Sequence, residues 1–304
     1  MSSSILVPLD GSLLAEQALP TAVSLIKRRH GRLELALVHE PQSHDGLADA
    51  PWNSMTASMQ DRYMSDKAAQ LSAACEANVG HALLQGDVAR ELCRRAREVD
   101  ADMIVMSTHG RTGLTRAFAG SVADAVIRES RVPVLLLRQL GADAPPRVPA
   151  LSFKKILVPI DDSEASRQIF GAAASLATRG ETEFVLVRVV APVHYVMDGA
   201  LPYGYVAGPV DDEATKTVVS EADHELIGAA ADLGERSGCD IDPHVIVADH
   251  VGRAIVDFAR KRGVDLIAMT THGRGASRML LGSVTDAVLR GANIPMLVLH
   301  PTSA

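Results

Sequence analysis

Two stretches of this chain occur twice, and the order in which they recur fixes most of what the chain can fold into. ILVPLDGS at Ile5 to Ser12 returns as ILVPIDDS at Ile156 to Ser163, an offset of 151 residues (156 − 5). STHGRTGLTRAFAGSVADAV at Ser107 to Val126 returns as TTHGRGASRMLLGSVTDAV at Thr270 to Val288. The repeats open and nearly close each half, so a whole domain is duplicated. A length of 304 residues gives each copy enough chain to bury its own core. The repeated segments keep Gly, Asp, Ser and Thr as well as apolar residues. Packing alone needs only the apolar ones.

Each half alternates short apolar runs with longer amphipathic stretches, the pattern of a parallel sheet covered by helices on both faces. In the first half the runs are Ile5 to Leu9, Leu33 to His39, Ala82 to Leu84, Met103 to Met106 and Val132 to Leu137. In the second they are Ile156 to Ile160, Glu183 to Val190, His244 to Val247, Leu266 to Met269 and Ile294 to Leu299. The expectation is α/β: two Rossmann-like domains, each a five-stranded parallel sheet. Helices are expected at Leu13 to Arg29, Ala89 to Glu98, Glu164 to Arg179 and Arg253 to Arg262, with Pro20 interrupting the first. Gly31 and Gly180 stand where helices should stop. Domain one is read as 1–138, a Pro- and Gly-bearing linker as 139–152 and domain two as 153–304. The loop from Ala191 to Val210 is longer than its counterpart and carries Tyr195, Tyr203 and Tyr205; it reads equally as a binding loop or as a loop packed on its own domain.

Composition narrows the function. The net charge is −7 with no long basic cluster, which argues against nucleic acid as a partner. Cys75, Cys93 and Cys239 are too scattered for a disulfide framework or a zinc site. There is no apolar stretch of membrane-spanning length and no signal-peptide pattern, so the expectation is a cytoplasmic protein without a membrane partner.

The chemistry concentrates after the fourth run of each half. Ser107-Thr108-His109-Gly110 leads through a loop with Arg111 and Arg116 to Gly120-Ser121, which opens a helix. A helix start offers unpaired amides and a positive dipole end to a phosphate, and Gly110 and Gly120 permit close approach of backbone. The competing reading makes Ser121 and Ser283 helix caps, with Asp124 and Asp286 three residues on completing a capping box. Capping does not account for the two glycines. The second element is the acidic turn after the first run, Asp10-Gly11-Ser12 and Asp161-Asp162-Ser163, either a ligand-facing acid or a turn residue. In an open parallel sheet both elements meet at the switch point beyond the first and fourth strands. His109 and His272 adjoin the glycines, and a histidine satisfied by backbone accounts for both.

These residues together resemble the universal stress protein family in a tandem two-domain form, over essentially the whole chain. In its ATP-binding members the motif is Gly, two residues, Gly, nine residues, then Gly with Ser or Thr. The first half supplies Ser107, Gly110, nine residues (Arg111 to Ala119) and Gly120-Ser121. The second supplies Thr270, Gly273, only eight residues (Arg274 to Leu281) and Gly282-Ser283. Both lack the leading glycine. The resemblance implies ATP, with or without Mg²⁺, as the ligand. It implies that Asp10 or Asp161 faces the adenosine and that backbone near Glu40 and Val189 reads the adenine. It also implies strand order 3-2-1-4-5 and pairing through the fifth strands, hence an internal pseudo-dimer, with a homodimer of whole chains left open.

The expected function is ATP binding in the stress response through nucleotide-dependent interaction with a protein partner, with at most slow hydrolysis, since no general base or metal carboxylate stands out. The alternative is an interaction protein whose sites are degenerate. An AMP-forming enzyme would need a Ser/Gly-rich loop directly after the first strand, and Gly11-Ser12 is a poor substitute. There is no Walker motif, no G-x-G-x-x-G after either first strand and no G-x-S-x-G elbow.

Overall fold

A computed structural model describes residues 3–39, 56–109, 121–139, 153–196, 207–271 and 281–302. Its first half runs β1 (Ser4–Pro8), α1 (Leu13–Glu16), α2 (Leu19–Arg29), β2 (Arg32–His39), α3 (Ala57–Cys75), β3 (Asn78–Gln85), α4 (Val88–Glu98), β4 (Met103–His109), α5 (Ser121–Glu129) and β5 (Val134–Gln139). The second half begins with β6 (Lys155–Pro159), α6 (Glu164–Arg167), α7 (Ile169–Leu176), β7 (Glu183–Val190), β8 (His194–Val196) and β9 (Ala207–Val210). It continues with α8 (Asp212–Ser237), β10 (Asp240–Val247), α9 (Val251–Arg262), β11 (Leu266–Thr270), α10 (Ser283–Gly291) and β12 (Met296–Leu299).

Ten strands form one sheet in the order β10-β7-β6-β11-β12-β5-β4-β1-β2-β3. Within each half the order is 3-2-1-4-5 and every pairing is parallel. The halves join where β5 meets β12 antiparallel, with Leu135 opposite Leu297 and Leu136 opposite Met296. The expected internal pseudo-dimer is therefore built through the fifth strands.

Strand alternation sorts the side chains into two cores. Ile5, Val7, Leu33, Leu35 and Leu37 face α2 and α3; Leu6, Ala36, Ile104 and Met106 face α4 and α5. Both cores cross the seam. Leu135 and Leu297 belong to the first, Leu136 and Met296 to the second, and all four are fully buried. Burying side chains of this size contributes about 1.5–3 kcal/mol each, so the seam is part of both cores.

The structure changes several expected boundaries. The third run of each half is longer than its apolar letters, Asn78–Gln85 and Asp240–Val247, because both are edge strands paired on one side only. An edge tolerates polar residues and even Pro243, whose missing N–H need not serve a second neighbour. The first helix is two pieces, α1 and α2, with Pro20 at the start of α2. The second half breaks at the same place, at Gln168, without a proline, and its helix ends at Leu176 rather than Arg179. The break thus belongs to the fold, and Pro20 merely suits it. At the end of α2 the left-handed residue is His30 (φ 49), and a Cβ at Gly31 would lie 2.5 Å from the Ser3 carbonyl oxygen. Gly31 is small for close packing. Helices α3 and α8, absent from the sequence reading, fill the connection between the second and third strands. The loop Ala191 to Val210 contains the hairpin β8–β9, and the linker's first residue, Gln139, still belongs to β5. Among the described residues no helix is long and apolar enough to cross a membrane.

Candidate functional site at the two switch points

Strands β1 and β4 are neighbours, Ile5 beside Met103 and Leu6 beside Ile104. The helices that follow them diverge, α2 to one face and α5 to the other, so a crevice opens beyond their carboxyl ends. The second half repeats this with β6 and β11, Leu266 beside Ile156. Because β5 and β12 run antiparallel, the carboxyl ends of the strands of the two halves point in opposite directions.

The acidic turns serve the backbone. Asp10 is exposed, and its Oδ1 accepts from the Ser12 amide at 2.9 Å. Ser12 in turn caps α1, its Oγ accepting from the Ala15 amide. Asp161 is half-buried and accepts from both the amide (2.9 Å) and the hydroxyl of Ser163, which caps α6. In each acid one oxygen shapes the turn that follows the first strand.

At the end of β4, Ser107 stands in the position where the family motif has glycine. Its Oγ is shielded from solvent and has no hydrogen-bond partner among the described residues. A buried hydroxyl without a partner is costly, and an incoming acceptor would relieve that cost. The second half is wired differently. Thr270 is buried, its carbonyl accepts from Thr285 Oγ1 at 2.8 Å, and the Gly282 amide donates to the Thr271 carbonyl at 2.8 Å. Ala123 holds the place of Thr285 in the first half and cannot make that bond. The shorter connection of the second half therefore goes with a direct stitch between β11 and the start of α10.

The competing capping-box reading does not hold in the second half. Gly282, not Ser283, is the N-cap of α10, and among the described residues no side-chain hydrogen bond caps its first turn. Asp286 and Asp124 turn the other way along their helices, to Arg290 Nε at 2.8 Å and Arg128 Nε at 2.9 Å. An arginine four residues on competes successfully for the carboxylate. Among the described residues the first amides of α10 have no side-chain acceptor and can donate to an anion, and Ser283 is exposed beside them. Ser121 is the first residue of α5 and also exposed.

Val189 is half-buried near the carboxyl end of β7, beyond the last residue of β6, opposite Ile246. Glu40, Gly110, Gly120 and Gly273 lie outside the described residues, as do Arg111, Arg116 and His272.

The crevices also carry residues that the sequence reading missed. In the first half Glu16 accepts from Tyr63 Oη (2.7 Å) and Lys67 Nζ (2.9 Å), closing α1 against α3. Burial first, then the Glu16 hydrogen bond, pushes the Tyr63 hydroxyl well above its usual range, so it remains a donor. His39 Nδ1 meets the buried Gln60 Oε1 at 2.9 Å. In the second half Arg188 joins Asp162, at 3.7 Å, to Glu225. Arg188 did carry a sequence signal, a lone charge in the apolar stretch FVLVRVV. The α3 residues carried none. Among the described residues no group of three His, Cys, Asp or Glu could hold a metal ion.

Comparison with known proteins gives one family. The sequence model of the Universal stress protein family matches residues 1–138 and again 152–300. Universal stress protein Rv2005c of Mycobacterium tuberculosis is 30% identical over 200 residues, 66% of this chain and 62% of that protein. The match thus spans somewhat less than two thirds of that relative. Universal stress protein A homolog 2 of Coxiella burnetii is 32% identical over 150 residues, 49% of this chain and 96% of its own. The crystal structure of a universal stress protein from Archaeoglobus fulgidus superimposes with a TM-score of 0.70, covering 99% of both chains at 19% identity. That likeness is one of fold.

Proposed function

Because the chain belongs to the universal stress protein family, we propose that it binds ATP, with or without Mg²⁺, at the switch point of each half and acts in the cytoplasmic stress response through nucleotide-dependent interaction with a protein partner. Turnover is at most slow hydrolysis. Asp10 and Asp161 face the adenosine, and backbone at Glu40 and Val189 reads the base. Ser107, Gly110, Gly120 and Ser121 take the phosphates in the first half; Thr270, Gly273, Gly282 and Ser283 take them in the second.

The observation that carries this reading is the start of α10. Among the described residues its first turn has no side-chain cap, and the carboxylate that could have closed on it is held by Arg290. The unpartnered Ser107 hydroxyl supports the same reading in the first half. A second reading, an interaction protein with degenerate sites, is favoured in the second half alone by the Thr285–Thr270 stitch. Titration calorimetry of ATP with Mg²⁺ into the full chain separates the two. Two binding events per chain support two sites and one supports a degenerate second half. No binding to the wild type, or unchanged first-site binding in Gly120→Val, removes the nucleotide reading.

A further inference from the structure

We propose that Arg167 is an anion-binding residue of the second crevice, so that this site takes an adenine nucleotide carrying an additional phosphoryl group on its ribose, whereas the first site takes the unmodified ribose. The inference rests on the nucleotide reading above and deepens it.

Helices α1 and α6 are equivalent four-residue helices, each following the acidic turn and each capped by its serine, Ser12 or Ser163. Their last residues are Glu16 and Arg167, of opposite charge. Helices α3 and α8 align at their left-handed C-caps, Glu76 and Gly238. Counting back thirteen residues from each cap (76 − 63, 238 − 225) pairs Tyr63 with Glu225; counting nine (76 − 67, 238 − 229) pairs Lys67 with the fully buried Ala229. In the first half Glu16 satisfies both of its oxygens on Tyr63 and Lys67. In the second half Glu225 would be the natural mate of Arg167, but Arg188 has taken it, and Arg188 also holds Asp162.

Arg167 is therefore left over. Its Nε is shielded from solvent without a hydrogen-bond partner, and its guanidinium enters none of the ion pairs formed among the described residues. A guanidinium nitrogen removed from water and left unpaired is unfavourable, and a bound anion relieves it. The planar fork suits a phosphoryl group, to which it donates two parallel hydrogen bonds. Place decides which group. Arg167 ends the short helix that follows Asp161; on the nucleotide reading this is the nucleoside end of the crevice, and the polyphosphate lies toward the start of α10. Neither nearby carboxylate competes for the anion's place, since Asp161 is turned onto Ser163 and Asp162 onto Arg188. An anion that reaches Arg167 while the adenosine occupies the crevice must be carried on the ribose.

The test compares AMP with adenosine 2′,5′- and 3′,5′-bisphosphate by titration calorimetry on the full chain. These probes differ only in the added phosphoryl group. At one of the two sites, a bisphosphate is expected to bind about tenfold more tightly than AMP, with a steeper salt dependence. Arg167→Gln should make the two affinities equal, and Arg167→Lys should restore part of the difference. Equal affinities in the wild type, or a preference that survives in Arg167→Gln, overturn the proposal. If no nucleotide binds the wild type, the functional reading itself fails, and orthophosphate then tests Arg167 alone. A rise in unfolding temperature with phosphate in the wild type but not in Arg167→Gln would keep the anion site. Equal rises, or none, would remove it.

Discussion

Arg95 on α4 holds Glu34 in the middle of β2, its Nε 3.0 Å from Glu34 Oε1, and the equivalent positions of the second half are Val185 and Phe258. The Glu34 side chain is 11% exposed and that of Arg95 27%. One fold thus solves the same interface once with an ion pair and once with apolar packing. Removing a single partner of such a pair strands the other charge, whereas exchanging both for apolar groups is often neutral. Arg95→Phe should cost about 3 kcal/mol, the lower end for a broken buried pair because Arg95 is not fully enclosed. Glu34→Val should cost less, since the freed Arg95 can reach water. The double variant should be more stable than the sum of the singles, and a urea double-mutant cycle measures the difference. Additive losses would show that the two residues act independently.

Ser107 separates steric from hydrogen-bonding effects at the first crevice. Its Oγ has no partner among the described residues. If that hydroxyl donates to a phosphate, Ser107→Ala should weaken ATP binding at one site about fivefold to tenfold, as expected for losing about 1 kcal/mol of hydrogen bond. Ser107→Gly, which restores the family's glycine, should lose the same bond but admit the ligand more closely, and so fall less. Calorimetry on the two variants decides. Tighter binding in Ser107→Ala would mean that the hydroxyl is only a burial cost.

The strands were readable because burial on both faces leaves near-continuous apolar runs; the two edge strands were read short, and so was β4, whose polar end Ser107 to His109 lies beyond the apolar run. The seam came from the family resemblance; no local pattern in Val134 to Gln139 announces an antiparallel partner. Helices α3 and α8 escaped because their buried faces are thin, with Gln60, Met64, Ala68 and Cys75 on one and Ala222, Leu226, Ala229 and Leu233 on the other. With them went Tyr63, Lys67 and Glu225, which reach the crevices only through tertiary packing. The capping box weighed as the competing reading fails in the second half for a local reason: Arg290 lies four residues beyond Asp286 and holds its carboxylate.

Helices α9 and α10 approach each other more closely than their first-half counterparts can. A Cβ at Gly252 would lie 2.5 Å from Ala287 Cβ and 3.3 Å from the Val284 carbonyl oxygen, yet the first half has Ala89 at the matching position. Gly252→Ala must push α10 outward, an overpacking worth about 1–3 kcal/mol. The expected drop in unfolding temperature is about 2–4 °C per kcal/mol for a chain of this size class. Since α10 carries Gly282 and Ser283, nucleotide affinity should fall at the second site and hold at the first. A loss at both sites, or at neither, would uncouple this helix contact from binding.

Cys93 makes stability depend on alkaline pH with a definite sign. It is 4% exposed, and burial first, then the charge of Glu129, pushes its thiol from 9.0 up to about 11. In the unfolded chain the thiol loses its proton from about pH 9, while the folded protein holds it to about 11. Between those values the unfolded state binds fewer protons, so stability falls as pH rises. The contribution is fully present below pH 9 and is lost through pH 11, at up to about 1.4 kcal/mol per unit. Lysines and tyrosines titrate in the same range, so the wild type alone cannot isolate it. Cys93→Val places in the first half the residue that the second half has at Val256, equally part of the core. Urea midpoints at pH 8.5, 9.5 and 10.5 should diverge between the two proteins, with the wild type declining faster. Parallel declines would mean that the thiol ionises without unfolding the α4–α5 interface.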